Sequence, residues 1–131
     1  MGTKANLVNT FNAMVAAFNA FNADPPTGTL PAFAQYLDEQ VIFYSNSGHL
    51  GYYPKHVAEA YLTSQSADHP SFTQPLPSSI VLNQTGTGAF ITGYAIWTDS
   101  NNLNGEHLLF DFTFIYKNGN WLLLTAWASA P

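Results

Sequence analysis

The first part of the chain repeats apolar side chains with the period of an α-helix. Over residues 3–23 they recur at steps of three and four, which places them on one stripe of a helix. The stripe consists of Leu7, Phe11, Met14, Val15, Phe18 and Phe21. We predict that this helix ends at Asp24-Pro25-Pro26, because proline cannot continue a helix.

Shorter elements follow. Residues 30–38 are predicted as a second helix, with Pro31 suited to its first turn. Residues 41–44 are predicted as a short strand, and Pro54 opens a third helix that runs to about residue 64. The stretch 67–77 contains three prolines, which predicts a loop or an irregular edge strand.

From residue 78 the pattern changes to runs typical of strands. The predicted strands are residues 79–82, 87–98, 108–116 and 121–128, with a polar loop at 99–105. The last two are joined through Asn118-Gly119, the strongest short-range signal of a β-hairpin. We therefore predict an α+β fold in which three N-terminal helices pack on one side of a curved, mainly antiparallel β-sheet. A single domain over residues 1–131 is long enough to bury a core.

One carboxylate interrupts the final hairpin. Asp111 lies among aromatic, apolar and hydroxyl side chains, where a charge is costly unless it is paired, hydrogen-bonded or protonated. If Asn118-Gly119 forms a two-residue turn, Tyr116 pairs with Trp121 and Asp111 pairs with Ala126.

This pairing predicts two faces, both largely apolar. One carries His107, Leu109, Asp111, Thr113, Ile115, Leu122, Leu124, Ala126 and Ala128. The other carries Phe110, Phe112, Phe114, Tyr116, Trp121, Leu123, Thr125 and Trp127. One face is expected to line a cavity beneath the helices, and the other to contact a partner. The alternative is that the aromatic face forms the core and Asp111 points to water. Periodicity alone does not separate these arrangements.

Composition narrows the classes of function. Charged residues make up 8% of the chain, arginine is absent, and the formal net charge is −5. The three cations Lys4, Lys55 and Lys117 form no basic patch, which argues against binding of nucleic acid or of an acidic membrane surface. So low a charge leaves apolar faces available for a partner.

Further absences shape the expectations. No cysteine is present, which excludes disulfides and thiolate chemistry. His49, His56 and His69 lack the spacing of metal ligands, so neither a metal nor another cofactor is expected. The sequence has no visible signal peptide and no apolar run of about 18 residues, so we expect a cytoplasmic location.

The order of elements resembles the cystatin-like α+β cone of the nuclear transport factor 2 superfamily, which includes ketosteroid isomerases and SnoaL-like polyketide cyclases. In the isomerases an Asp on the penultimate strand lies eight residues before the Gly of the last turn, as Asp111 lies before Gly119 here. The strand ending in Ala126 and Ala128 is also similar, and Tyr61 resembles a tyrosine of the active-site hydrogen-bond network.

The resemblance has implications for both faces of the hairpin. It implies that the Asp111 face lines the cavity, where a buried, protonated Asp111 could donate a hydrogen bond. It also implies that the aromatic face forms a homodimer interface. The residues of that interface would be Phe110, Phe112, Phe114, Trp121 and Trp127.

Two departures from the family pattern affect the chemistry. Tyr44 occupies the position of the family's general-base Asp. The family's oxyanion tyrosine on the first helix falls at Ala16 or Ala17, or in another register at Phe18 or Asn19. Steroid isomerisation by the family mechanism is therefore not expected. Limonene-epoxide-hydrolase-like chemistry is also not expected, because it needs an arginine.

The candidate catalytic residues are Asp111, Tyr61, Tyr44 and His49, with His49 as a base in the loop after the first strand. Residues expected to contact a ligand are Phe18, Tyr36, Tyr94, Thr113, Leu124 and Ala126. The preferred hypothesis is an apolar pocket for a small hydrophobic or aromatic molecule, in an isomerase, dehydratase or cyclase with Asp111 as acid. The alternative is a non-catalytic ligand-binding or dimerisation module of the same fold.

Overall fold

The described part of the chain, residues 1–44 and 51–129 of the computed structural model, combines α-helices with one β-sheet. The elements in order are α1 (Lys4–Asn22), α2 (Leu30–Ala34), β1 (Leu37–Phe43), α3 (Lys55–Gln65), a 3-10 turn (Ser66–Asp68), β2 (Ser71–Leu82), β3 (Gly88–Asp99), β4 (Asn102–Lys117) and β5 (Asn120–Ser129). The predicted α+β fold, with helices packed against a curved and mainly antiparallel sheet, is confirmed.

The five strands lie in the order β1-β5-β4-β3-β2. The strands β2 to β5 pair antiparallel with their neighbours. Strand β1 pairs in parallel with β5, from Leu37 opposite Leu123 to Phe43 opposite Ala126. The first and last strands are therefore neighbours, and the end of β1 lies beside the end of β5.

Helix α1 crosses one face of the sheet and forms hydrogen bonds with the edge strand β2. Thr3 caps the helix by accepting a hydrogen bond from the Asn6 amide (3.2 Å), as threonine at an N-cap commonly does. Asn19 accepts from the Phe72 amide (2.8 Å) and donates to the Phe72 carbonyl (2.9 Å). One side chain thus satisfies both backbone groups of a residue on the edge strand β2, which would otherwise be open to pairing.

Several predicted boundaries differ from the structure. The second helix ends at Ala34 rather than at residue 38, because β1 already begins at Leu37. The proline-rich stretch contains the start of β2, an edge strand whose register shifts between Thr73 and Leu76. Strand β4 begins at Asn102 and not at residue 108, so residues 102–105 of the predicted polar loop belong to this strand.

The final hairpin has the predicted turn and the predicted pairing next to the turn, but its pairing farther along the strands differs. Asn118 and Gly119 both have positive φ (51° and 82°), as a type I′ turn requires. Tyr116 pairs with Trp121, whereas Thr113 pairs with Thr125 and Asp111 with Trp127. The register shift between Thr113 and Phe114 marks a bulge. Because side chains alternate between faces, the extra residue moves every later residue of β5 to the opposite face.

The aromatic face of β4 is the core, so its assignment to a dimer interface is wrong. Phe110 is 2% exposed, and its ring stacks on Phe11 of α1 (centroids 5.7 Å apart). Phe114 and Trp121 are buried in the same core. Phe112 packs against this core as well, at 6.2 Å from the Phe11 ring. Of the five residues expected at the interface, Trp127 remains exposed.

Over residues 1–44 and 51–129, no helix is long and apolar enough to cross a bilayer.

Candidate functional site

An apolar cavity of about 260 Å³ lies between α1, α3 and the face of the sheet that the helices cover. Aromatic and aliphatic side chains supply most of its wall. The lining residues are Met14, Val15, Phe18, Phe33, Phe43, Tyr44, Tyr61, Leu62, Gln65, Phe72, Trp97, Asp99, Glu106, Leu108, Phe112, Leu123, Ala126, Trp127 and Ala128. A mostly apolar wall with a few placed polar groups is typical of small-molecule sites.

The exposed members of the wall mark the mouth of the cavity. Tyr44, Glu106 and Trp127 are exposed, whereas Leu62 and Leu123 are buried. Tyr44 follows the end of β1, and Trp127 lies near the end of β5, its parallel neighbour. The mouth therefore opens at the end of the sheet where β1 and β5 finish.

The hydroxyl of Tyr61 and the side-chain amide of Gln65 form a hydrogen-bonded polar pair in the otherwise apolar wall. Gln65 Nε2 donates a hydrogen bond to the Tyr61 hydroxyl (2.7 Å). The Tyr61 ring stacks on Tyr52, with centroids 3.9 Å apart and planes 10° apart. Tyr52 is itself held by a β-bridge to Phe43. Because the Tyr61 oxygen accepts from Gln65, its own proton is available for a ligand.

Burial keeps Tyr61 in its protonated form. Desolvation raises the pKa of the Tyr61 hydroxyl above its ordinary value of 10.0, and nearby Tyr52 raises it further. At neutral pH the hydroxyl is therefore a hydrogen-bond donor rather than a base.

Asp99 is held in one orientation at the end of β3. Its Oδ2 accepts from Trp97 Nε1 (3.0 Å), and its Oδ1 accepts from the Asn101 amide (2.9 Å). Glu106 lies across the ladder from Trp97. Two carboxylates therefore flank the indole of Trp97 in the cavity wall.

The structure brings four of the predicted site residues together. Tyr61, Tyr44, Phe18 and Ala126 all lie on the cavity wall. Phe18 also packs edge-on against Phe33 (5.4 Å) and lies 6.0 Å from the Trp97 ring. Ala126 reaches the wall because the bulge in β5 turns it toward the helices.

Asp111 does not belong to the cavity, and the prediction that it faces inward is wrong. It is exposed and lies across the strands from Thr92 and Trp127, on the side of the sheet away from the helices. Burying its neighbours Phe110 and Phe112 removes large apolar surfaces from water, whereas burying the carboxylate would be costly. The burial on which a donor role for Asp111 depended is missing.

Four predicted ligand contacts also lie away from the cavity. Thr113 and Leu124 are on the outer face, where the hydroxyls of Thr113 and Thr125 hydrogen-bond to each other. Tyr94 is 54% exposed, because it alternates with the buried residues of β3. Tyr36 packs against the core but does not line the cavity. His49 lies outside the described residues.

Trp97, Asp99, Glu106 and Gln65 line the cavity and were not predicted from the sequence. Alternation on β3 could have identified the first two, because Ile91, Gly93 and Ala95 are buried and the same face continues at positions 97 and 99. No comparable signal marks Glu106, since β4 extends through residues that read as a polar loop. Among the described residues, no group of three or more His, Asp or Glu side chains could hold a metal ion.

Two comparisons with known proteins, one with family models and one with curated sequences, found no match. No protein-family model matches the chain. No curated protein matches its sequence significantly.

Solved structures match over nearly the whole length. A putative calcium/calmodulin dependent protein kinase II association domain from Xanthomonas campestris is 15% identical, with a TM-score of 0.75 over 100% of this chain and 89% of that one. An NTF-2 like protein of unknown function from Shewanella oneidensis is 14% identical, with a TM-score of 0.73 over 95% and 97%. The chain has the NTF2-like fold.

A further neighbour is a domain of unknown function with a cystatin-like fold from Nostoc punctiforme. It is 10% identical, with a TM-score of 0.73 over 98% of this chain and 79% of that one. At these identities the likeness shows the fold alone. Any function of this NTF2-like chain has to be argued from its own cavity.

Proposed function

We propose that this domain binds a small, largely apolar molecule, with a flat aromatic body, in the cavity between α1, α3 and the sheet. The observation that carries the proposal is the unfilled apolar space of about 260 Å³ with a phenol–amide pair in its wall. An apolar cavity of about 150 Å³ is enough to take up benzene. A cavity of this size therefore suits one or two rings.

Binding is favoured over catalysis. The expected isomerase, dehydratase or cyclase would use Asp111 as its acid, and Asp111 lies on the opposite side of the sheet. Tyr61 can orient a polar substituent of the ligand, but its raised pKa makes it a poor base. The proposal is therefore the non-catalytic ligand-binding alternative, and the cavity of about 260 Å³ argues against a module whose interior is filled by its own Phe and Leu side chains.

Uptake of 2-naphthol, followed by quenching of tryptophan fluorescence, tests this proposal. We expect saturable binding by the unmodified protein. Ala126→Leu fills part of the cavity and is expected to weaken binding at least about tenfold. Tyr61→Phe removes one neutral hydrogen bond and should weaken 2-naphthol by about three- to tenfold, with little change for naphthalene.

The matched control is Asp111→Asn, on the other face of the sheet. Binding should be unchanged in this variant, and thermal unfolding should show that Ala126→Leu remains folded. Loss of binding in Asp111→Asn with retention in Ala126→Leu would place the ligand elsewhere and contradict the proposal.

We further propose a homodimer through the outer face of the sheet, by residues other than those first expected. This face exposes Phe90 (37%) and Tyr94 (54%), and it also carries half-buried Leu109, Leu122 and Leu124. Contiguous apolar surface of this kind is typical of protein contacts. A second copy is the natural occupant, because the same apolar residues repeat in every protomer around the exposed carboxylate of Asp111 on this face.

Sedimentation velocity distinguishes the dimer from the monomer. The unmodified chain is expected to sediment as a dimer, and Tyr94→Glu as a monomer, because two like charges would meet across the twofold axis. Leu103→Glu is the control, since Leu103 lies at the start of β4 and is 82% exposed. A monomeric parent protein, or a Tyr94→Glu variant that stays dimeric, contradicts the proposal.

A further inference from the structure

The cavity wall carries negative charge and no positive charge among the described residues. Its charged members are Asp99 and Glu106. Two of the three lysines form ion pairs with carboxylates outside the cavity, and the third lies far from the cavity. Lys117 Nζ lies 2.7 Å from Asp38 Oδ1, and Lys55 Nζ lies 3.8 Å from Glu39 Oε1. Lys4 begins α1, about 15 Å along the helix from the first cavity residue, Met14.

The two carboxylates are placed around an aromatic face. Asp99 accepts the indole N–H of Trp97, and Glu106 pairs with Trp97 across the β3–β4 ladder. Each oxygen of Asp99 has one partner and keeps a second lone pair for a ligand. An indole ring is the strongest aromatic partner for a cation, and Phe18 lies 6.0 Å from it.

From this arrangement we propose that the ligand is a cation, a small aromatic molecule with a protonated amine. This inference rests on the proposed function and adds the charge of the ligand to it. The ring occupies the apolar interior, and the ammonium group lies near Trp97, Asp99 and Glu106. An anion of the same shape is repelled by both carboxylates.

Three ligands of matched shape test the charge preference. They are 2-naphthylmethylamine, which is protonated at neutral pH, neutral 2-naphthylmethanol, and 2-naphthoate. In calorimetric titrations we expect the amine to bind about tenfold more tightly than the alcohol. The carboxylate is expected to bind most weakly. Raising the salt concentration should narrow the difference, because the mouth is open to solvent.

Charge-neutral variants locate the effect. The double variant Asp99→Asn with Glu106→Gln should bind the amine and the alcohol with similar affinity. Asp111→Asn is the control for a change of net charge, and we expect it to keep the full preference. Asparagine at position 99 still accepts the Trp97 hydrogen bond, so the fold is expected to be retained, which circular dichroism checks.

The outcomes separate this inference from the proposed function. Equal binding of all three ligands overturns the charge preference and leaves an apolar binding site. An equal loss of preference in Asp111→Asn shows a general effect of net charge and also overturns the inference. Binding of none of the three overturns the proposed function together with the inference.

Discussion

Phe110→Ala is expected to lower the free energy of unfolding by about 3–5 kcal/mol, the range for removing a buried aromatic ring. Phe110 is 2% exposed, stacks on Phe11, and meets the rings of Phe72 and Phe112 at 5.4 and 5.1 Å. Three aromatic rings, those of Phe11, Phe72 and Phe112, would lose contacts around one cavity. Chemical denaturation at equilibrium measures the loss as a lower midpoint with little change in slope.

Phe90→Ala is the matched control, because it deletes the same ring from the opposite face. Phe90 lies on β3 and is 37% exposed, so the loss should be about 1–2 kcal/mol. The measurement is best made at low protein concentration, where dimerisation contributes least. A larger loss at position 90 than at position 110 would mean that the aromatic face of β4 is not the core.

The order and type of the elements could be predicted because each has a local cause. The stripe of α1 and the Asn118-Gly119 turn are properties of short segments, and both are present in the structure. The same holds for the pairing of Tyr116 with Trp121 next to the turn. The end of the second helix was missed because Leu37 and Asp38 pair with a strand more than eighty residues away along the chain.

The faces of the hairpin could not be predicted, for two physical reasons. Both faces are apolar, so alternation identifies them without ranking them. A bulge at Leu124 then exchanges the later residues of β5 between the faces, and no Gly or Pro marks its position. Energetics could have ranked the faces, because three phenylalanines on one side outweigh a side that would bury a carboxylate.

The error concerning Asp111 shows how a family resemblance can mislead. Its spacing of eight residues to Gly119 matches the isomerases, but the bulge lies within that hairpin and the carboxylate points away from the helices. The candidate site depends instead on residues contributed by eight elements, the helices α1, α2 and α3 and the strands β1 to β5. Tyr61 could be found by resemblance. Trp97, Asp99 and Glu106 come together only through the β3–β4 register.

Lys117→Met is expected to lower the free energy of unfolding by about 2–3 kcal/mol at pH 7, the cost of leaving a buried charged acceptor without its partner. Lys117 ends β4, and its Nζ lies 2.7 Å from Oδ1 of Asp38, which is 2% exposed. Lys55→Met is the control. Its partner Glu39 is largely exposed, so the same substitution there should cost under about 1 kcal/mol.

The dependence on pH identifies the cause of this loss. Burial alone would raise the pKa of Asp38, but hydrogen bonds from Lys117 and from the Gln40 amide outweigh it and lower the pKa below 3.8. In the parent protein the pair therefore stabilises the fold above the ordinary pKa of Asp38, and this contribution is lost as the pH falls through the lowered pKa of the folded state.

In Lys117→Met we expect the effect of burial on the pKa of Asp38 to prevail, so the carboxyl group takes up a proton more readily in the folded state. The loss in free energy of unfolding should then be largest near pH 7 and shrink as the pH falls toward about 3.

Asp38→Asn in the Lys117→Met background should recover about 1 kcal/mol at pH 7 and remove the pH dependence of this loss. A deficit that is the same at both pH values, or an Asp38→Asn substitution that deepens it, would show that Lys117 acts through the packing of its aliphatic stem and not through its charge.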